Sequence, residues 1–255
     1  MEYRIFTYDT LESTNDKAKE IAAYSEEGTV ILAREQTKGK GRLGRVWSST
    51  KDKDILMSII LKPEIQIKDI PKITLVGATA INMALRDIGI DSQIKWPNDI
   101  VIENKKVSGI LTEMSSNSRD INYVIMGIGI NVNQDIQDIP EELQYKSISL
   151  KIVKNSVIDK RELLNNILER FRTLYMPFRS NGDMEKVINI YRENSIVIGK
   201  EILVIKGKDK IRKGVAIDIN HRGELLVEFP EGLEEICSGE VSIRGIEGYG
   251  KVLSL

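Results

Sequence analysis

Apolar residues recur along this chain with two periods, and the period changes mark its elements. Between Asp159 and Ser180, Leu163, Leu164, Ile167, Leu168, Phe171 and Leu174 fall three or four apart, which predicts a helix. Asp183 to Asn194 reads as a second one. Near the start, Ser13-Thr14-Asn15-Asp16 precedes Ala18, Ile21 and Ala22, one helical face behind a capping residue, and Gly28 stops the pattern. Pro71 opens a further helix through Ile73, Val76, Ala80 and Leu85 that ends near Gly89. Strand-like runs lie between these helices at Tyr3 to Tyr8, Thr29 to Ala33, Ile55 to Leu61 and Ile121 to Val132. Ile94 to Ile102 and Lys106 to Met114 read as a hairpin turning at Asn104-Lys105.

From Ile196 the texture shifts to short β runs separated by glycine-bearing turns: Glu201 to Ile205, Val215 to Ile219, Leu225 to Phe229 and Glu240 to Ile243. The expected architecture is therefore α+β. A mixed or antiparallel sheet backed by helices occupies residues 1–195, and a small β-barrel occupies 196–255.

Composition narrows the function. The 255 residues are 41% hydrophobic and 29% charged, enough for a real core, and the net charge of -1 supplies no global field for nucleic acid. DNA binding is disfavoured. No apolar run approaches a membrane span and the chain start carries no signal-peptide pattern, so the cytoplasm is the expected location. One cysteine, Cys237, and one histidine, His221, exclude an internal disulfide, a cysteine-rich zinc site and a two-histidine metal centre. Both are assigned no chemistry.

Candidate chemistry gathers in three clusters. Residues 35 to 47, Glu-Gln-Thr-Lys-Gly-Lys-Gly-Arg-Leu-Gly-Arg-Val-Trp, combine Gly39, Gly41 and Gly44 with Lys40, Arg42 and Arg45, so that backbone N-H groups and cations can surround an anion. The spacing satisfies G-x-G-x-x-G, but the polar stretch after it leads to a strand rather than a helix, which excludes a dinucleotide fingerprint. A solvated basic turn remains the alternative. Lys95-Trp96-Pro97-Asn98-Asp99 sets a cation, an aromatic, a rigid proline and two oxygen-bearing side chains at a strand bend, with Lys106 returning to the same end of the sheet. Asp99 suits Mg²⁺ chelated by nucleotide phosphates, while Trp96 is open to a reading as a core anchor. Gly127-Ile128-Gly129-Ile130-Asn131 puts two glycines inside an apolar strand, which fits close approach of a ligand or, alternatively, a β-bulge with a buried asparagine.

Taken in this order, with Ser13-Thr14-Asn15 ahead of them, the clusters resemble the catalytic domain of biotin protein ligases over nearly the whole chain. The family's Gly-Arg-Gly-Arg-x-Gly-Arg-x-Trp loop corresponds to Gly39 to Trp47. Its Lys-Trp-Pro-Asn-Asp corresponds to Lys95 to Asp99, Lys-x-x-Gly-Ile to Lys106 to Ile110, and Gly-x-Gly-x-Asn to Gly127 to Asn131. Ser238 to Arg244 resembles its closing motif. Lys40 departs from the usual arginine and loses a planar fork. The resemblance implies a class II synthetase-like biotin/lipoate ligase fold with an SH3-like C-terminal barrel. It also implies ATP-dependent activation of biotin as biotinyl-5'-AMP and transfer to a lysine of a biotin carboxyl carrier protein.

On that resemblance, Lys106 faces the carboxylate and α-phosphate, Arg42 and Arg45 retain the phosphates and adenylate, and Asp99 holds metal or orients the incoming amine, with Lys95 in support. Ser13, Thr14, Asn15, Gln36, Gly39, Lys40, Gly41 and Arg42 would take biotin, with Gly109 and Ile110 against its rings. Trp47, Asn98, Gly127 and Asn131 would take the nucleotide. The glycine loop is expected to order around its ligand, and Glu240 and Arg244 to close over ATP or dock the carrier. Twelve residues precede Ser13, so a DNA-binding repressor domain is not expected. Pairing of sheet edges into a homodimer is expected by analogy. The rivals are a lipoate or octanoate ligase, whose Arg-Arg-x-Ser-Gly-Gly-Gly signature is missing, and a non-catalytic biotin-binding module.

Overall fold

A computed structural model describes residues 1–117, 120–207, 210–239 and 241–245. Its first layer is a seven-stranded sheet in the order β1-β2-β3-β7-β6-β5-β4. The strands are β1 (Arg4–Leu11), β2 (Thr29–Gln36), β3 (Ile55–Leu61), β4 (Gln93–Lys95), β5 (Asp99–Ile102), β6 (Lys105–Ser116) and β7 (Ile121–Ile130). β1 and β2 run parallel and every other neighbour antiparallel, so the sheet is mixed.

The central strand shows why the layers form. All seven residues of β3 are buried, and the two faces go to different helices. Ile55, Met57, Ile59 and Leu61 join the large core beneath α2 (Ile70–Asp87), where α4 (Lys160–Asn181) and α5 (Glu185–Glu193) also contribute. Ile60 faces the other way with Ile31 and Ile125, covered by Ala18 and Ala22 of α1 (Thr14–Ile21) and the residue after it. Ser58 is the one hydroxyl residue of β3, and it marks where the site begins.

The C-terminal unit is a five-stranded antiparallel sheet in the order β11-β10-β9-β8-β12. It comprises β8 (Glu201–Lys206), β9 (Lys210–Ile219), β10 (Leu225–Phe229), β11 (Gly232–Ile236) and β12 (Val241–Gly245). Trp96 holds it to the larger sheet: the indole is 1% exposed and its Nε1 donates to Gly223 O at 3.1 Å. Trp96 is thus the core anchor that its composition left open.

Several expectations need correction. Ile94 to Ile102 is two short strands, because a cis Trp96–Pro97 bond folds Lys95 back opposite Asp99. The next turn is made by Glu103 and Asn104, both at positive φ, rather than by Asn104-Lys105. The first helix ends at Ile21, not at Gly28, whose backbone instead leads into β2. β11 was not foreseen because its residues are mostly exposed and carry no alternation; pairing with β10 alone makes it a strand. A short helix, α3 (Leu150–Lys154), also lacked a periodic signal.

Candidate active site

Three glycines form the floor of a cleft at the middle of the large sheet. Gly109 of β6 sits opposite Gly129 of β7, and Gly127 lies opposite Leu111; the register shifts only at Ser115/Ser116, so these glycines are not a bulge. They are required by what lies over them. A Cβ at Gly127 would stand 2.0 Å from Asn15 Oδ1, one at Gly129 2.4 Å from Trp47 Cε2, and one at Gly109 2.8 Å from Lys106 Nζ. Any side chain there would displace a cleft residue.

One end of the cleft is a hydrogen-bond network of uncharged side chains, backed by the Lys19–Glu113 ion pair and so neutral in sum. The start of α1 is held by Gln36, whose Oε1 accepts from Thr14 N at 2.7 Å and Thr14 Oγ1 at 3.0 Å; the Ser13 side chain makes no cap, contrary to expectation. Ser58 Oγ lies 2.6 Å from Asn15 Oδ1 and 2.8 Å from Thr14 Oγ1. Its single proton serves the Asn15 carbonyl, which can only accept. Asn15 Nδ2 in turn donates to Glu113 Oε2 at 2.7 Å, and Lys19 Nζ donates to Glu113 Oε1 at 2.6 Å. Ser58 and Glu113 were not foreseen as site residues, because a lone hydroxyl in an apolar strand and a carboxylate on a strand carry no motif.

The other end is cationic. Lys106 Nζ pairs with Asp99 Oδ1 at 2.7 Å and lies 5.3 Å from the centre of the Trp47 ring. Arg42 donates from Nη1 to Asn98 Oδ1 at 2.7 Å, and from Nη2 to the carbonyls of Ser238, Gly239 and Val241 at 2.6, 3.0 and 3.0 Å. The C-terminal sheet thereby grips the glycine loop. Asn98 is itself fixed, donating from Nδ2 to Ile110 O at 3.0 Å and to Asp99 Oδ1 at 3.0 Å. Burial lowers the Arg42 guanidinium below its ordinary value. Lys95, 7% exposed, is pushed down to about 8, chiefly by burial and further by the charges of Lys106, Arg244 and Arg45, with Asp99 opposing.

The glycine loop roofs the cleft. Expected to order around a ligand, it is a defined hairpin: Trp47 N donates to Gly39 O at 2.9 Å, Gly41 N to Arg45 O at 2.7 Å, and Leu43 and Gly44 turn at positive φ. Lys40 at its edge donates to Asp16 Oδ1 at 2.6 Å. With two of its cations so engaged, the loop is not a simple solvated turn. Trp47 lies across Gly109 and Gly129 and leaves a cavity of only about 40 Å³, room for little more than a water. A larger ligand requires the hairpin and Trp47 to move.

Ser13, Thr14, Asn15, Gln36, Lys40, Gly41, Arg42, Trp47, Asn98, Lys106, Gly109, Ile110 and Gly127 all border this cleft. Gly39, Arg45, Lys95 and Asp99 stand behind that lining. Asn131 is buried outside that lining, and its amide donates to Ile148 O at 3.2 Å. Arg244 acts through its charge on Lys95, and Glu240 lies outside the described residues. Among the described residues no group of three or more His, Cys, Asp or Glu could hold an ion by itself, and the Asp99 carboxylate is paired with Lys106. Cys237 points elsewhere, its Sγ donating to Glu224 Oε1 at 3.2 Å. No helix of the described residues is long and apolar enough to cross a membrane.

Known proteins resemble this chain in sequence and fold. The Biotin/lipoate A/B protein ligase family matches residues 7–131, and the Biotin protein ligase C terminal domain matches residues 197–244. The bifunctional ligase/repressor BirA of Bacillus subtilis is 35% identical over 95% of this chain and 75% of its own length. The biotin--[acetyl-CoA-carboxylase] ligase of Mycobacterium tuberculosis is 26% identical over 84% of this chain and 79% of its own. A biotin protein ligase from Aquifex aeolicus, solved in complex with biotin and ATP, superposes with a TM-score of 0.83 at 31% identity, covering 95% of this chain and 99% of that one.

Proposed function

Because the chain belongs to the biotin protein ligase family, we propose that it activates biotin with ATP and transfers it to a lysine of a biotin carboxyl carrier protein. A carboxylate oxygen of biotin attacks the α-phosphorus of ATP, the bond to the β-phosphate oxygen breaks, and pyrophosphate leaves. The carrier lysine then attacks the carbonyl carbon of biotinyl-5'-AMP, loses a proton and expels AMP.

One observation carries this reading: a neutral network at Thr14, Gln36 and Ser58 and a cation pair at Lys106 and Arg42 bound a single glycine-floored cleft. The uncharged ureido head of biotin suits the first end, because its N-H and C=O groups need partners once buried. The carboxylate and the α-phosphate suit the second. Gly109 and Ile110 lie against the rings between them. Neither step needs a covalent nucleophile, only the alignment of two anions and stabilisation of charge growing on phosphate.

Lys106 leaves Asp99 to bridge carboxylate and phosphate, Arg42 and Arg45 hold the adenylate, and Lys95 adds charge from behind. Asp99, freed, orients the incoming amine. Trp47 stacks on adenine after the hairpin opens, and the hairpin recloses to keep water from the anhydride. Mg²⁺ arrives as part of the substrate Mg·ATP. Residues 1–195 carry this chemistry, and Ser238, Gly239 and Val241 of the C-terminal unit clamp Arg42. The test is incubation with Mg·ATP and either biotin or lipoate, followed by mass spectrometry. Biotin-dependent biotinyl-AMP and pyrophosphate are expected. Lipoyl-AMP alone would reassign the substrate, and no adenylate would leave only a binding module.

A further inference from the structure

Tyr191 is a site group that no motif announces. It lies in the last turn of α5 and is fully buried, yet its hydroxyl has no hydrogen-bond partner among the described residues. Burying a hydroxyl unpaired costs free energy that a phenylalanine would avoid. Packing alone gives no reason for the oxygen.

Its surroundings do. The end of α5 lies along β4: Ile94 N donates to Asn194 O at 2.8 Å and Ile196 N to Ile94 O at 3.0 Å, beside Lys95 and the bend to Asp99. On the far side Arg192 donates to Asp218 Oδ1 at 2.7 Å and to Ile219 O at 2.6 Å, fixing the helix against the C-terminal sheet. The charges that reach the hydroxyl are those of Asp99 and Arg42; burial first, then Asp99, hold the phenol well above its ordinary value, so it stays a donor.

Asp99 needs a donor at one moment only. Its Oδ1 holds Lys106 at 2.7 Å and takes the neutral amide of Asn98 at 3.0 Å. When Lys106 turns to the substrate anion, Asp99 loses its 2.7 Å ion-pair contact while remaining largely enclosed. We propose that Tyr191 is a positioning residue for this step: its hydroxyl donates to the Asp99 carboxylate as Lys106 departs, holding it in place for the incoming amine. The hydroxyl idle in the free protein is then used in the complex. This inference rests on the ligase reading above.

The test is Tyr191→Phe, alone and combined with Asp99→Asn, with wild type as the control for the activity itself. The Phe variant should melt at or above the wild-type temperature and keep the KM for biotin. Its kcat for transfer of biotin from biotinyl-5'-AMP to the carrier lysine should fall about ten-fold, the size of one hydrogen bond to a charged group. In the Asp99→Asn background the same change should cost nothing further. An unchanged kcat, or a loss that persists undiminished without the carboxylate, would overturn the proposal. So would a lower melting temperature, which would mean the hydroxyl already has a structural partner. A wild-type protein that makes no biotinyl-AMP would instead sink the ligase reading, and the Tyr191 role with it.

Discussion

The two ends of the cleft are built on different principles. At the neutral end, Thr14, Asn15, Gln36, Ser58 and Glu113 come from one helix and three strands of the same sheet, and they hold one another through hydrogen bonds. At the cationic end, Arg42 comes from a loop, Lys95 and Asp99 flank a cis-proline turn, Lys106 stands on β6, and the carbonyls that grip Arg42 belong to the C-terminal sheet. The first end is finished before a ligand arrives. The second is held by ion pairs and borrowed carbonyls that a ligand's phosphate and carboxylate would replace. Preorganised recognition and exchangeable charge are thus kept apart, so binding and chemistry should respond to different mutations.

Lys106→Ala tests that separation most severely. It removes the cation that must move from Asp99 to the reacting anions, so biotinyl-AMP formation should fall by at least about a hundred-fold, as for loss of a preorganised charge-stabilising group. Biotin affinity measured by calorimetry should change far less, because the neutral end is untouched. A variant with near-normal turnover would remove Lys106 from the chemistry. One that lost biotin binding to the same degree would merge the two ends.

Ser58→Ala is the converse. Asn15 Oδ1 and Thr14 Oγ1 would each lose a neighbour in a site where Ser58 is wholly buried. The KM for biotin should rise about ten-fold, the scale of one unpaired buried polar group, with kcat nearly kept. A fall in kcat at unchanged KM would show that the network reaches the reacting atoms and would break the comparison.

These two residues also separate what was legible in the sequence from what was not. Lys106 was readable because it returns beyond a hairpin turn to the end of the sheet that carries Lys95 to Asp99, a cluster whose composition is odd for a core strand. Ser58 was not: within Ile55 to Leu61 a serine looks like a tolerated substitution until the fold sets it under Asn15. Asn131 lies just past the end of β7 with its amide on Ile148 O, a partner that its place after two glycines did not announce. The glycines themselves were read correctly as close-approach positions, yet what approaches in this structure is Trp47 and Asn15. Periodicity reports which face a residue takes, and only tertiary pairing reports what it meets there.

The smallest expected effect sharpens the comparison through pH. Burial pushes Lys95 down to about 8 from 10.5, so its charge, nearly full at pH 7, is half lost near pH 8. If that charge helps hold phosphate, apparent ATP affinity should weaken about two-fold at pH 8 and by at most about ten-fold at pH 9, following the protonated fraction. Biotin affinity should stay flat over the same range, since Thr14, Gln36 and Ser58 at the neutral end offer only hydroxyl and amide groups. Unfolding would not mimic this. A lysine whose folded value is depressed binds fewer protons folded than unfolded between about 8 and 10.5, so its contribution to stability grows as pH rises through that window. Lys95→Met should flatten the ATP profile at a uniformly weaker affinity, whereas an unchanged decline above pH 8 in that variant would assign the titration to another group.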